Sequence, residues 1–294
     1  MKVLVSGATG FIGKQVVQFL QSLGQWRILT SGRNEEKLKH LDADYIVYDL
    51  NQEQHNCYDQ LGRPEVLIHL AWEGLPNYQE SFHLHRNLIN HYRFLKRMIE
   101  QGLPSLTVTG TCYEYGLQNG CLQETMPTNP TTCYGMAKDV LRRRLAALQQ
   151  EHPFRLRWLR LFFMYGPGQP ARSLMAQVDR ALATGREDFD MSGGEQLRDY
   201  LPASEVAALI AKVALQPRHD GIFNICSGQP ISVRRLVEEH IAAKGGRLRL
   251  NLGIFPYPDH EPLAYWGDPT RLRLAVAAFE EEQNRTSIPL RAAI

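Results

Sequence analysis

The sequence has no apolar run of the roughly 20 residues that a membrane-spanning helix needs, no CxxC pair, and no excess of charge of one sign. Lys and Arg number 33 against 31 Asp and Glu, a formal net charge of +2. Such a balance argues against a nucleic-acid coat or a polybasic membrane binder, which concentrate positive charge on one face. No nucleic acid and no membrane is expected as a partner. The 5 cysteines (Cys57, Cys112, Cys121, Cys133 and Cys226) are odd in number and scattered. They read as reduced thiols rather than a disulfide frame or a zinc site, and no metal is expected. Met1 to Gly7 runs straight toward glycines without the long apolar core and small-residue cleavage site of a secretory leader, so a cytoplasmic protein is expected. Internal repeats and low-complexity tracts are also missing. What remains is an ordinary globular balance, 294 residues with 44% hydrophobic and 22% charged, enough for one large domain or two intimate ones.

Through the first half, short runs rich in Val, Ile and Leu alternate with helical patterns. The strand candidates are Lys2–Ser6, Trp26–Ser31, Tyr45–Tyr48, Val66–Ala71, Leu106–Thr109 and Leu156–Met164. They are continuous rather than alternating, as strands covered on both faces are. The helical stretches Phe11–Leu23, Gln79–Gln101 and Thr132–Gln150 supply the crossovers that parallel strands require. The expected class is α/β, a doubly wound parallel (Rossmann) sheet over residues 1–165, with a smaller C-terminal substrate-binding region at 166–294. Elements near 198–226 are expected to return to the sheet. Within the second region the pattern predicts helices at Ser173–Thr184, Ala203–Leu215 and Val233–Ala243, the last capped by Ser232. Strands are predicted at Gly221–Cys226 and Arg247–Leu252.

Gly7-Ala8-Thr9-Gly10-Phe11-Ile12-Gly13 follows the first strand and opens the first helix. Glycines there permit a tight turn and bring backbone N–H groups to a pyrophosphate at the helix N-terminus, where the dipole favours anions. Gly7, Thr9, Gly10, Phe11, Ile12 and Gly13 are therefore candidate cofactor contacts. An acid at the end of the second strand would bind the ribose 2′-hydroxyl of NAD, whereas an arginine fits a 2′-phosphate. Here Thr30, Ser31, Gly32 and Arg33 stand at that end, so NADP(H) is favoured over NAD(H); the other reading is a solvated loop arginine. Asp49 and Leu50 are placed to meet the adenine, and Leu70 and Ala71 to flank the nicotinamide ribose.

Tyr134 and Lys138 form a YxxxK step within one predicted helix, which sets both side chains on one face. A free phenol titrates near 10 and is a poor acid–base group at neutral pH. A neighbouring ammonium is expected to lower that pKa, and Lys138 can also bond ribose hydroxyls. Thr111, just past the fifth strand, can hold a carbonyl or alcohol oxygen.

These pieces together resemble the extended short-chain dehydrogenase/reductases, the NAD(P)-dependent epimerases, dehydratases and reductases of nucleotide sugars. The resemblance also takes in His69-Leu70-Ala71, Thr109-Gly110-Thr111, Tyr115-Gly116, Pro130, Arg160, Tyr165 to Gln169, Arg198-Asp199-Tyr200, Phe223-Asn224 and Ser227-Gly228, in family order from Val3 to about Val233. It implies Tyr134 as acid–base residue, Lys138 as its partner, Thr111 as the orienting hydroxyl and Asn87 as part of the catalytic hydrogen-bond network. It implies Arg198 as a contact to the substrate diphosphate; the other reading is a surface charge paired with Asp199. Trp72 and Tyr113 are candidate substrate contacts or core residues. Glu114 reads as a surface residue or a substrate ligand. His83, His85 and His91 read as a partly exposed helix, not a metal site. A homodimer seamed along Gln79–Gln101 and Thr132–Gln150 is implied by the resemblance alone.

Departures from the family narrow the chemistry. Cys112-Tyr113 replaces the Asp-Glu pair that dehydratases carry after the threonine, which argues against 4,6-dehydration. Cys112 is also one residue off the register of a Cys-based epimerisation. The Arg-Pro-Gly-Asp segment of 4-epimerases is replaced by Asp259-His260-Glu261-Pro262 and Trp266-Gly267-Asp268, leaving Arg271 or Arg172 as stand-ins for a second diphosphate arginine. The expected activity is NAD(P)H-dependent reduction of the C4 ketone of a nucleoside-diphosphate 4-keto-6-deoxyhexose. The alternative is a nucleotide-sugar 4-epimerase with tightly bound NAD. A non-catalytic dinucleotide sensor would have no need of the Tyr–Lys pair.

Overall fold

The computed structural model describes residues 1–52, 55–259 and 261–287. Seven parallel strands form the central sheet in the order Gly221–Ile225, Arg155–Leu161, Ser105–Thr111, Val66–His69, Lys2–Ser6, Arg27–Gly32 and Asp44–Val47. Lys2–Ser6 pairs in register with both Arg27–Gly32 and Val66–His69. The strand order reverses about that first strand, so the carboxyl ends on its two sides open a crevice. Val3 and Val5 point to one face and pack with Val16, Leu20 and Ile210; Leu4 and Leu67 point to the other and pack with Leu95, Leu141 and Leu145. This two-sided burial is why the strands read as continuous apolar runs.

The helices Phe11–Leu23, Ala203–Leu215 and Val233–Ala243 fall where the sequence pattern puts them, and the Ser232 side chain accepts a hydrogen bond from the Arg235 N–H as N-cap. Two predicted elements change and one helix is added. The expected strand Leu156–Met164 is two strands. Arg155–Leu161 stays in the main sheet, while Phe163–Tyr165 leaves it to pair with Tyr200–Pro202. The expected helix Gln79–Gln101 is shorter, a π turn at His83–Asn87 running into an α-helix at Leu88–Glu100. The helix Thr270–Ser287 was not anticipated; its signal is Asp268, whose carboxylate caps the Thr270 N–H, followed by Pro269. Beyond the main sheet, Met175, Val178, Phe189, Val237 and Ile241 form a small separate core. His260 and residues 288–294 of the predicted second region lie outside the described residues.

The end of the strand Ser105–Thr111 is fixed by a buried carboxylate. Glu114 is fully buried. It accepts hydrogen bonds from the Thr111 N–H (2.9 Å), from the Trp158 indole N–H (2.9 Å) and from Arg160 Nε (2.9 Å). Neither the surface role nor the substrate role expected for it survives, because all its partners are internal. Gly110 is required beside it, since a Cβ there would lie 2.1 Å from Trp158 Nε1 and 2.3 Å from the Glu114 carboxylate. Glu114→Ala would leave the Arg160 guanidinium buried without its anion, and about 3–5 kcal/mol of stability should be lost. Calorimetry checks this; a melting temperature unchanged from the parent contradicts it.

Candidate active site

Gly7 turns the chain out of the first strand at φ 75°. A Cβ there would lie 2.6 Å from the Ala71 amide nitrogen, and one on Gly13 would lie 2.2 Å from the Gly7 carbonyl oxygen. The helix Phe11–Leu23 begins at Gly10 with no side-chain cap. Just before it, Gly7, Thr9 and Gly10 line a cavity of about 230 Å³ together with Ser31, Arg33, Asp49, Ala71 and Trp72. Glycines that tolerate no Cβ and an uncapped helix start opening on a cleft fit a dinucleotide pyrophosphate.

Of the predicted cofactor contacts, Gly7, Thr9, Gly10, Ser31, Arg33, Asp49, Leu50, Leu70 and Ala71 line this cavity. Phe11 lines an adjoining cleft with Lys14, Tyr165 and Pro167, and Ile12 packs into the core. Thr30 does not face the cleft. It is wholly buried, and its hydroxyl donates to the Asp44 carbonyl at 3.3 Å. Arg33 is exposed in the loop after the second strand, where it makes an ion pair. Its Nη1 lies 2.5 Å from Glu73, a carboxylate that also meets Arg86 at 3.2 Å. Glu73 comes from the loop after the fourth strand and lines the same cleft.

The helix Cys133–Leu148 starts at Thr132, whose hydroxyl caps the Gly135 N–H at 3.0 Å. That cap sets Tyr134 and Lys138 on the inward face, both buried. Lys138 Nζ donates to the Thr109 carbonyl at 2.8 Å and lies 3.9 Å from the Trp72 ring centre, a cation–π contact. Burial pushes the Lys138 ammonium down to about 7, with Glu114 drawing it back up. Burial, aided by Tyr78, pushes the Tyr134 phenol well above its usual range. The expected lowering by Lys138 is therefore absent from this state. The ammonium is 5.9 Å from the phenol ring centre and turned to a carbonyl, and desolvation dominates.

Thr111 is buried at the strand end, its hydroxyl accepting from the Tyr113 N–H. Asn87 sits in the π turn, a backbone form frequent at functional sites. It donates to the Glu73 carbonyl at 3.0 Å and contacts His83 Nδ1 at 3.3 Å. His83 in turn lies against Tyr134, 5.4 Å between ring centres. The Trp72 indole N–H donates to His83 Nδ1 at 3.1 Å, so the ring proton is on Nε2, facing the Asn77 carbonyl.

His83 and His91 are buried rather than partly exposed. His91 bonds to His69 (2.8 Å) and His69 to Ser6 (2.7 Å). Burial lowers the pKa of both, His69 to about 3, so these rings are neutral. Among the described residues no group of side chains could hold a metal ion.

A second corner lies across an aromatic ladder. Tyr134 packs on Tyr78 (5.7 Å) and Tyr78 on Tyr113 (4.9 Å). The Tyr113 hydroxyl donates to Glu261 at 2.5 Å, and Arg198 Nη2 donates to the other oxygen of the same carboxylate at 2.8 Å. Arg198 is buried and is not paired with Asp199, whose carboxylate accepts from the Ser227 and Gly228 N–H groups. Arg271 donates to the Ile222 and Asp220 carbonyls, at the amino end of its neighbouring strand and away from the cleft.

Residues 3–226 match the sequence model of the NAD dependent epimerase/dehydratase family. The chain belongs to that family. It is 32% identical over 272 residues, 91% of its own length and 99% of the relative's, to a dTDP-6-deoxy-L-talose 4-dehydrogenase (NAD(+)) from Aggregatibacter actinomycetemcomitans. It is 28% identical over 246 residues to an ADP-L-glycero-D-manno-heptose-6-epimerase from Pseudomonas aeruginosa, covering 78% of this chain and 74% of that one. Among solved structures, MoeE5 in complex with UDP-glucuronic acid and NAD superposes with a TM-score of 0.80 at 24% identity, covering 98% of this chain and 100% of that one. The chain is thus an NAD(P)-dependent enzyme of oxidoreductase type on a Rossmann-like fold. No helix among the described residues is long and apolar enough to cross a membrane.

Turnover that uses the Lys138 ammonium should be complete at acid pH and fall as pH rises through about 7, where the buried group loses its proton. Lys138→Arg holds its charge to far higher pH and should move that limb upward. Initial rates across the range check this; a wild-type rate that holds steady through neutrality contradicts it.

Proposed function

We propose that this enzyme reduces the C4 ketone of a nucleoside-diphosphate 4-keto-6-deoxyhexose. The observation that carries the reading is the near full-length similarity to the deoxytalose 4-dehydrogenase, since a 4-dehydrogenation run in reverse is a 4-ketone reduction. When bound, the nicotinamide supplies hydride to the carbonyl carbon. Tyr134 gives its proton to the carbonyl oxygen, Thr111 hydrogen-bonds that oxygen, and the Lys138 ammonium stabilises the phenolate left behind. Ketone, hydride and proton together make the alcohol. A phenol that keeps its proton through the neutral range is in the form a reduction consumes, which favours this direction over the base-initiated oxidation that begins a 4-epimerisation. Asn87 holds His83 and the Glu73 carbonyl, and so the wall of the pocket around Tyr134. Arg198 faces the diphosphate, Tyr113 and Trp72 are the aromatic contacts, and residues 166–294 supply most of the substrate side.

With a dTDP-, CDP- or GDP-4-keto-6-deoxyhexose and NADPH, the nicotinamide absorbance should fall, and Tyr134→Phe should slow the loss by about 10²–10⁴-fold. Failure with all three substrates contradicts the reading. The alternative is a nucleotide-sugar 4-epimerase, which shares the Tyr, Lys and Thr. It requires nicotinamide retained through purification with no net oxidation, which mass spectrometry of the native protein detects.

NADP(H) is proposed over NAD(H) because Arg33 and Arg86 meet at one rim of the cleft with a single carboxylate between them. Glu73 opposes a 2′-phosphate there. Glu73→Gln should raise the NADPH-to-NADH ratio of kcat/KM, and Arg33→Ala should lower it by about tenfold. Equal ratios in all three proteins contradict the assignment. The enzyme is further proposed to be a homodimer seamed along Leu88–Glu100 and Cys133–Leu148, where Ile89 and Met136 stand exposed. Light scattering at twice the chain mass is expected; the single-chain mass contradicts it.

A further inference from the structure

Arg198 is a buried cation on the substrate side, and its anion is internal. Both of its terminal nitrogens are occupied. Nη2 donates to Glu261, and Nη1 donates to the Leu197 and Leu263 carbonyls at 2.9 and 3.0 Å. The guanidinium also lies over the Tyr265 ring, 4.5 Å from its centre. The second Glu261 oxygen is held by the Tyr113 hydroxyl. Glu261 thus stands at the far end of the ladder that leads from Tyr134 through Tyr78 and Tyr113.

Its two sides in the chain differ. Downstream, Leu263 and Ala264 are tied by backbone hydrogen bonds to Leu197 and Gly120. Upstream, the stretch Leu252–Asp259 runs over the surface, with Ile254, Phe255 and Tyr257 exposed. Glu261 sits at the junction, fixed through its carboxylate, and the surface stretch before it is tied by the Ile254 N–H to the Met191 carbonyl and by the Tyr257 hydroxyl, which accepts from the Glu195 N–H.

We propose that Glu261 is an internal stand-in for the substrate's phosphate, an autoinhibitory contact that a nucleoside diphosphate displaces. The inference rests on the substrate class proposed above. A buried guanidinium needs an anion at all times, because stripping it of one costs several kcal/mol. A phosphate matches its planar donor geometry as a carboxylate does. The two anions cannot share the site, since like charges brought together repel strongly. Binding therefore exchanges one anion for the other. The opposite role, a Glu261 that stays to grip a substrate hydroxyl, predicts the reverse effect of removing its charge.

The test is calorimetric titration of wild type and Glu261→Gln with thymidine and uridine 5′-diphosphate, with NADH binding as the control. Glu261→Gln should bind the diphosphate about tenfold tighter, with NADH affinity unchanged. In case the variant folds poorly, hydrogen exchange on the wild type provides a second reading: adding the diphosphate should speed exchange across 252–261. Weaker or equal diphosphate binding by the variant, or slowed exchange in that stretch, overturns the stand-in while leaving the proposed substrate class in place. A wild type and a variant that both fail to bind either diphosphate overturn the two together.

Discussion

The active corner is organised around one carboxylate that no solvent reaches. Glu114 closes the turn after the strand Ser105–Thr111, caps the Thr111 N–H, and collects the Trp158 indole and the Arg160 guanidinium. Arg142, from the helix that carries Tyr134 and Lys138, lies 3.9 Å away. Fully partnered, such a group specifies one arrangement; partly partnered, it would be costly. The strand end, the Tyr–Lys helix and the neighbouring strand Arg155–Leu161 are thereby held in one geometry. Thr111 and Tyr113 inherit their positions from it, and the charge of Lys138 is drawn up by it.

Around this point the site has two anion-handling ends. The glycine loop and uncapped helix start form one, with Arg33, Arg86 and Glu73 at its rim. Arg198 with Glu261 forms the other. Tyr134 and Lys138 lie between them, buried under Trp72 and Tyr78. At each end an arginine is already held by a carboxylate of the chain. By the proposal above, a diphosphate binds at the second end by exchange with the Glu261 carboxylate.

What the sequence makes legible is what depends on short spacing. Gly7, Gly10 and Gly13 have their meaning within seven residues, and Tyr134 with Lys138 within five. The helix starts at Thr132 and Ser232 are likewise written locally. What it hides is pairing across the fold. Glu114 with Arg160 spans 46 residues, and Arg198 with Glu261 spans 63. His69 with His91 spans 22. Each partner alone looks like a surface charge or an exposed histidine, and only closure of the sheet makes it internal. The division of Leu156–Met164 has the same origin. Phe163 abandons the main sheet because Tyr200 offers a second partner, which periodicity cannot register. The electrostatics of Tyr134 also turn on burial, so that a spacing which promised an acidic phenol yields one that holds its proton.

The central claim is that Tyr134 and Lys138 work beside a nicotinamide to carry hydride into a sugar ketone. The most direct measurement follows the hydride itself. The enzyme is given a nucleoside-diphosphate 4-keto-6-deoxyhexose with reduced nicotinamide cofactor carrying deuterium at both positions of its reactive carbon, and the product is read by mass spectrometry and NMR. The account predicts one deuterium per product molecule, at sugar C4. Product that forms without the label, or with it at any other carbon, would contradict it.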